Sequence, residues 1–336
     1  MEIKKREYWV DIAKGIGIIL VMFGHTAIGP SILKYTYIFN MPGFLFLSGY
    51  FLNINKFANF KDFFKAKAKA ILIPYLGLSI ISIVFYKFYY QMPLNDFKTM
   101  SDIIIIFFKA TRTQIFYNIP LWFLPTLFFI ENTFYLIRKI NKKWLEWIII
   151  LVLGSYFVIK WDTLYNPKLI WTIDSGLFYL IFFSLGYYLK QELIKIKINK
   201  WIAGILAIVA VLINTLAIYN STLLDKIFRN EWILNHGIIY FISLLILAFS
   251  GIYVITSIAK IIKRQKILEF LGRNSLSFFG LHVLFFWTLD KILKPMPIFQ
   301  DKLTLLSIIY VVITTIAIIV LMPYLKKWLP KVFGKN

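Results

Sequence analysis

Residues 11–28 read DIAKGIGIILVMFGHTAI, and this stretch decides the architecture. Eighteen residues contain only three titratable side chains, Asp11, Lys14 and His25, and the rest is long enough to cross roughly 30 Å of hydrocarbon as a helix. Lys4-Lys5-Arg6 precede it as in a signal peptide, but no small-residue cleavage site follows and the run carries Lys14 and His25, so it is read as the first membrane helix. Further apolar runs of similar length recur along all 336 residues. Sixty per cent of the residues are apolar, mean hydropathy is +0.73, and 16% are charged. A soluble domain of this size cannot hide that much apolar surface. Backbone groups in lipid must pair within the chain, and no long alternating pattern suggests a β-barrel, so the spans are helices.

The expected spans are 11–28, 36–53, 70–88, 119–137, 144–160, 174–190, 201–219, 237–258, 267–290 and 303–325. Ile103 to Phe108 is apolar but too short to span, and is read as an interfacial helix or a packed loop. Charge supports the count of ten. With the N-terminus inside, the inner segments carry Lys4, Lys5 and Arg6; Lys56, Lys61, Lys65, Lys67 and Lys69; Arg138, Lys139, Lys142 and Lys143. They continue with Lys190, Lys195, Lys197 and Lys200; Lys260, Lys263, Arg264 and Lys266; and Lys326, Lys327, Lys331 and Lys335. Outer segments hold fewer cations, such as Lys34, Lys98, Lys160 and Lys168, and most loop acids: Asp96, Asp102, Asp162, Asp225 and Asp301. The positive-inside rule therefore expects an all-α integral membrane protein of about ten transmembrane helices with both termini cytoplasmic, in the cell membrane. No repeat or low-complexity linker divides residues 1–336, which are read as one domain.

The net charge of +22 is spread over short loops rather than gathered in a basic domain, so a nucleic-acid partner is not expected. The absence of cysteine excludes disulfides, thiolate catalysis and Cys-ligated metals. Three scattered histidines lack metal-ligand spacing, so no metal is expected.

Polar residues inside a bilayer are costly, and each raises a functional question. Lys14 and His25 are eleven positions apart, which returns them to one helix face within about 20° and separates them by roughly 16 Å along the axis. Such a stripe suits a long, thin ligand with an anionic head and a reactive tail. Equally, Lys14 could snorkel to the inner interface and His25 could sit among the outer headgroups.

The same residues resemble a family. Asp11-x-x-Lys14-Gly15, followed by Gly24-His25-Thr26, is similar to the opening of acyltransferase family 3 membrane proteins. Phe39-Asn40-Met41-Pro42-Gly43-Phe44-Leu45-Phe46-Leu47-Ser48-Gly49-Tyr50 resembles the second-helix signature. Lys65, Lys67 and Lys69 leading into Ile73-Pro74-Tyr75 resemble the inner loop and third helix, although relatives often have arginines there and lysine binds phosphate only as a point charge. Leu121-Trp122-Phe123-Leu124 and Gly272-Arg273-Asn274-Ser275-Leu276 through Leu281-His282 complete the match, which covers nearly the whole chain. Unlike some relatives, the chain is expected to carry no fused esterase-like soluble domain.

The resemblance implies a membrane O-acyltransferase. It would move an acyl group, usually acetyl, from acyl-CoA (acetyl-CoA first) to a hydroxyl of a surface polysaccharide or lipid-linked sugar, with no permanently bound cofactor. His25 would be the base that activates the hydroxyl, or the nucleophile of an acyl-imidazole. Lys14, with Lys65, Lys67, Lys69 and Arg273, would neutralise the phosphates of coenzyme A. Glu131 would orient a catalytic group or bind acceptor hydroxyls, or else form a buried pair with Arg273 or Lys14. Asp11, Ser48, Asn274, Ser275 and His282 are candidate substrate contacts; Asn274 and Ser275 could equally bond across helices, and His282 could be an interhelical histidine. Trp122 could stack on a sugar or belong to the outer aromatic belt. His236 is read as ordinary surface, and Gly15, Gly17 and Gly24 as points of close helix approach. Two expectations separate the enzyme from a carrier of glycans or lipid-linked sugars. An enzyme should gather Lys14, His25 and Glu131 around one cavity; a carrier should show two related halves around a midplane site.

Overall fold

The computed structural model describes residues 7–89, 97–161, 166–195, 201–202, 205, 237–296 and 302–334, and among these no strand occurs. The expected span 201–219 lies almost wholly outside them, as do Lys4, Lys5, Arg6, Asp96, Asp162, Asp225, His236 and Asp301. The helices are α1 (Tyr8–Gly24), α2 (Gly29–Phe51), α3 (Phe60–Lys67), α4 (Ile73–Tyr89), α5 (Phe97–Lys109), α6 (Phe123–Arg138) and α7 (Lys143–Trp161). After them come α8 (Ile173–Lys195), α9 (Gly237–Ile262), α10 (Lys266–Arg273), α11 (Ser275–Leu293), α12 (Leu303–Trp328) and the short α13 (Pro330–Phe333). Six stretches of the described residues are long and apolar enough to cross a membrane: Phe60–Tyr89, Ile119–Arg138, Ile170–Lys190, Leu244–Ile262, Ser275–Leu293 and Leu303–Trp328. The first helix, at 17 residues, spans about 25 Å.

Backbone contact, not side-chain interlocking, sets the tightest packing. A Cβ on Gly49 of α2 would lie 1.9 Å from the Phe183 carbonyl oxygen of α8, and one on Gly186 of α8 would lie 1.9 Å from the Phe46 carbonyl oxygen of α2. α1 and α10 meet the same way, through Gly15 against the Leu268 carbonyl (2.2 Å) and Gly272 against that of Asp11 (1.8 Å). Lipid tails are as apolar as leucine, so helices in a bilayer gain by approaching closely enough for backbone dispersion contact, which only glycine permits here.

The expected span 267–290 is two helices. α10 is short, with one buried face containing Glu269 and Leu271, and it is capped by the Gln265 side chain, which accepts from the Leu268 N–H at 2.5 Å. It ends at Asn274, whose side chain donates to the Phe270 carbonyl at 2.9 Å before α11 begins. The charged sequence Lys266–Arg273 cannot lie in hydrocarbon, and the break lets it pack against α1 instead. α3 and α4 are joined by a π turn, Ala68–Leu72. Pro74 follows two residues later; it lacks an N–H and its ring collides with the carbonyl four residues back, so a widened turn is the local remedy.

Residues 110–118 form an irregular segment that leads into a 3-10 turn at Ile119–Trp122, and parts of it are buried between helices. Ala110, Ile115, Tyr117 and Asn118 are at most 1% exposed. Unpaired backbone would be prohibitive there, and hydrogen bonds hold the segment. Asn118 donates to Ser82 Oγ (2.9 Å) and to the Gly280 carbonyl (2.7 Å), while Thr111 Oγ1 donates to the Leu169 carbonyl at 3.0 Å. The Arg112 N–H donates to Thr172 Oγ1 at 2.9 Å. Trp171 and Thr172 hold positive φ of 55° and 52°, strained for a side-chain-bearing residue, and Thr126 Oγ1 anchors the Trp171 carbonyl at 2.6 Å.

One end of the bundle is basic. Lys260 and Arg264 lie over the rings of Trp9 and Tyr8, Lys190 over Tyr50, and Lys143 over Tyr188. The start of α1, the ends of α2, α6, α8 and α9 and the start of α7 thus share a face, as helices alternating in direction require.

Candidate functional site

α1 carries its polar residues from that basic end to the opposite one. His25 caps the far end, its N–H bonded to the Met22 carbonyl at 3.0 Å. The His282 ring, from the second turn of α11, packs beside it with ring centroids 5.2 Å apart. His282 Nδ1 lies 2.8 Å from the Phe278 carbonyl, four residues earlier on the same helix. A carbonyl oxygen can only accept, so Nδ1 carries the proton and Nε2 holds the lone pair. Nε2 is buried and has no hydrogen-bond partner. A fully buried imidazole with an unused lone pair beside a second imidazole is an arrangement for proton handling.

Around His25, a cleft of about 410 Å³ is lined by Phe286, Trp287 and Asp290 of α11, by Lys294 just after that helix, and by Leu306 and Tyr310 of α12. Lys14 lines a different cavity of about 20 Å³, one water's worth, with Asn40, Phe44 and Thr256. Its Nζ lies 5.1 Å from the centre of the Phe51 ring, towards the basic end. Asp11, one turn earlier on α1, acts on Lys14 through its charge.

Glu131 lines neither cavity. Its carboxylate sits 3.0–3.1 Å from Lys67 Nζ, so the pair forms with Lys67 and not with Arg273 or Lys14. The reason lies in α3, whose last turn sets Lys67 on the face turned to α6 while Lys65 and Lys69 are exposed. Lys14, His25 and Glu131 therefore do not gather around one described cavity. Arg273 is exposed, with its Nε donating to the Glu269 carbonyl.

Burial and bonding place the remaining candidates. Trp122 is 3% exposed, so it is not part of an interfacial aromatic belt; it packs 6.1 Å from Tyr179 under the Arg112 guanidinium, which lies 5.4 Å above its ring. Asn274 bonds within its own chain turn and not across helices, and Ser48 Oγ donates to the Phe44 carbonyl of its own helix at 2.8 Å. Ser275 lies half-buried at the first turn of α11, seven positions before His282. Gly15 does bring helices into contact, whereas Gly17 meets the side chains of Phe44 and Asn40. Sequence reasoning missed Arg112, Asp290 and Tyr310: the first two read as loop or helix-end residues and Tyr310 as one aromatic among many in an apolar span, until the fold turns them towards the interior or the cleft.

The apolar helices and the basic end define a multi-pass membrane protein, and His25 and His282 meet at the end opposite the basic one. A family model described as an acyltransferase domain matches residues 7–324, and the chain belongs to that family, acyltransferase family 3, whose members are acyltransferases. No curated protein and no solved structure matches the chain.

Proposed function

We propose that the protein is an O-acyltransferase of the cell membrane that moves an acyl group, acetyl first, from cytoplasmic acyl-CoA to a hydroxyl of a surface polysaccharide or lipid-linked sugar. The observation that carries the reading is the His25–His282 pair, with the unoccupied Nε2 lone pair of His282 beside His25. A sugar hydroxyl is a poor nucleophile at neutral pH and needs a positioned base. In the proposed step His25 takes the hydroxyl proton as the oxygen attacks the thioester carbonyl. The C–S bond then breaks, and the imidazolium returns the proton to the departing thiolate. A small rotation of the His25 ring would let its single N–H donate to His282 Nε2, which fixes the tautomer that points the other nitrogen's lone pair at the substrate.

The basic end supports the donor assignment, because Lys14 and the α3 lysines offer the cations that phosphates require. By the positive-inside rule that end faces the cytoplasm, with both termini inside and ten helices in all. His25 then lies towards the outer face, and the roughly 16 Å between Lys14 and His25 is of the order of a pantetheine arm.

The test is the ester-linked acyl content of surface polysaccharide from a host lacking the gene, complemented with wild type or His25→Ala. Restoration by wild type alone, at equal membrane levels, is the expected result. Failed polysaccharide export that His25→Ala repairs would refute the enzyme reading and make the protein a carrier.

A further inference from the structure

We infer that the cleft between α11 and α12 beside His25 is the acceptor subsite and binds a neutral pyranose unit through Asp290 and Tyr310. The inference rests on the acyltransferase reading and adds the location and chemistry of the acceptor site.

The cleft is within the size range of small-ligand pockets, at about 410 Å³, and His25 forms part of its wall. Its charges balance. Asp290 Oδ2 lies 3.4 Å from Lys294 Nζ, so the cleft offers one acid and one cation already engaged with it. A donor carrying several phosphates finds no net positive field here; the cations that suit it lie around Lys14 and α3, at the other end of α1. A neutral polyhydroxyl ligand fits the balance.

The polar groups are of the kind that read sugar hydroxyls. The Asp290 carboxylate has about four lone-pair positions, of which Tyr310 (3.1 Å) and Lys294 occupy one each. The remainder can accept from vicinal hydroxyls, and the Asp290 side chain is 43% exposed, so a ligand reaches it. Tyr310 Oη, its proton directed at Asp290, keeps lone pairs for a further hydroxyl. Half-buried Trp287 supplies apolar surface for the C–H face of a ring. Trp287 is held in place by stacking on Phe85 and by the Tyr86 ring 5.5 Å away. Such a site presents fixed acceptors and an aromatic wall without having to be organised by the ligand.

The experiment uses the full-length protein in proteoliposomes, radiolabelled acetyl-CoA, and as acceptor the polysaccharide extracted from the host lacking the gene. Asp290→Asn, Tyr310→Phe and Ala27→Trp are compared with wild type. The first two weaken hydrogen bonds to the sugar, and the third fills the cleft from an exposed position that makes no polar side-chain contact. The expected result is a KM for polysaccharide raised about tenfold or more in each, through a lost hydrogen bond in the first two and steric exclusion in the third, with KM for acetyl-CoA moving less than twofold. An unchanged polysaccharide KM in Tyr310→Phe and Ala27→Trp overturns the subsite. So does a rise in the acetyl-CoA KM instead, which would make the cleft the donor's. If Asp290→Asn does not fold, the other two variants decide. A wild-type protein that labels no polysaccharide under any condition overturns the acyltransferase reading, and the subsite with it.

Discussion

The rings of His25 and His282 lie 5.2 Å apart, one at the end of α1 and the other two turns into α11, although 257 positions separate them in the chain. His282 is tied to its own helix through Nδ1, so only its Nε2 is available to its neighbour. If the two imidazoles act as a unit, their losses will not add. His25→Ala is expected to abolish transfer, and His282→Ala to lower kcat by about 10²–10⁴. The double variant should be no worse than His25→Ala. Release of free coenzyme A can be followed with a thiol reagent, since the protein has no cysteine of its own. A His282→Ala enzyme with wild-type kcat would remove His282 from the mechanism.

Lys67 and Glu131 form an ion pair whose acid is nearly buried. Removing one partner strands the other charge, which costs about 3–5 kcal/mol, whereas removing both is often close to neutral. Lys67→Met is therefore expected to lower the thermal midpoint in detergent sharply, and Lys67→Met/Glu131→Gln to recover most of it. If the double variant recovers stability but not transfer, the pair also serves the reaction.

Two glycines six positions apart on α2 should respond oppositely to alanine. At Gly49 the new methyl meets the Phe183 backbone at 1.9 Å, which cannot yield without parting α2 from α8, and the expected loss is about 1–3 kcal/mol. At Gly43 the nearest atom is a side-chain carbon of Ile252 at 3.9 Å, so Gly43→Ala should be neutral or gain up to about 1 kcal/mol from helix propensity. Thermal unfolding of the two variants checks the α2–α8 contact directly.

Orientation can be measured in the cysteine-free background. Ala27→Cys, at an exposed site beside His25, is expected to react with an impermeant maleimide on intact cells. Lys142→Cys, in the basic loop between α6 and α7, should react only after permeabilisation. The reverse pattern would invert the topology and put the His25 cleft in the cytoplasm.

Much of this molecule is readable without coordinates. Apolar runs mark helices because hydrocarbon leaves the backbone no other partner. Helical spacing put Lys14 and His25 on one stripe, but in the fold Lys14 lines a cavity with Asn40 and Thr256 while His25, just past the helix end, lines the cleft with Tyr310. Glu131 was legible as a buried acid in need of a partner, but its partner was not, since α3 had to fold back before Lys67 could reach it. The span 267–290 was misread because hydropathy averages over a window and cannot see that Asn274 closes one helix and lets another begin. Trp122 stayed open between a sugar contact and the interfacial belt because an aromatic residue near a helix start serves either use, and burial excludes only the belt.

The amino-acid sequence by itself determined that this is a helical membrane protein, that one of its ends is basic, and that it carries acyltransferase-family residues in order. Those properties follow from local composition and from spacing along a single helix. Only the tertiary structure decided that His282 stands beside His25, that Glu131 is held by Lys67, that Ile115, Tyr117 and Asn118 lie buried, and that Asp290 and Tyr310 share a cleft with His25. Each of these joins residues far apart in the chain, and such meetings depend on how helices approach and cross, which no local pattern encodes.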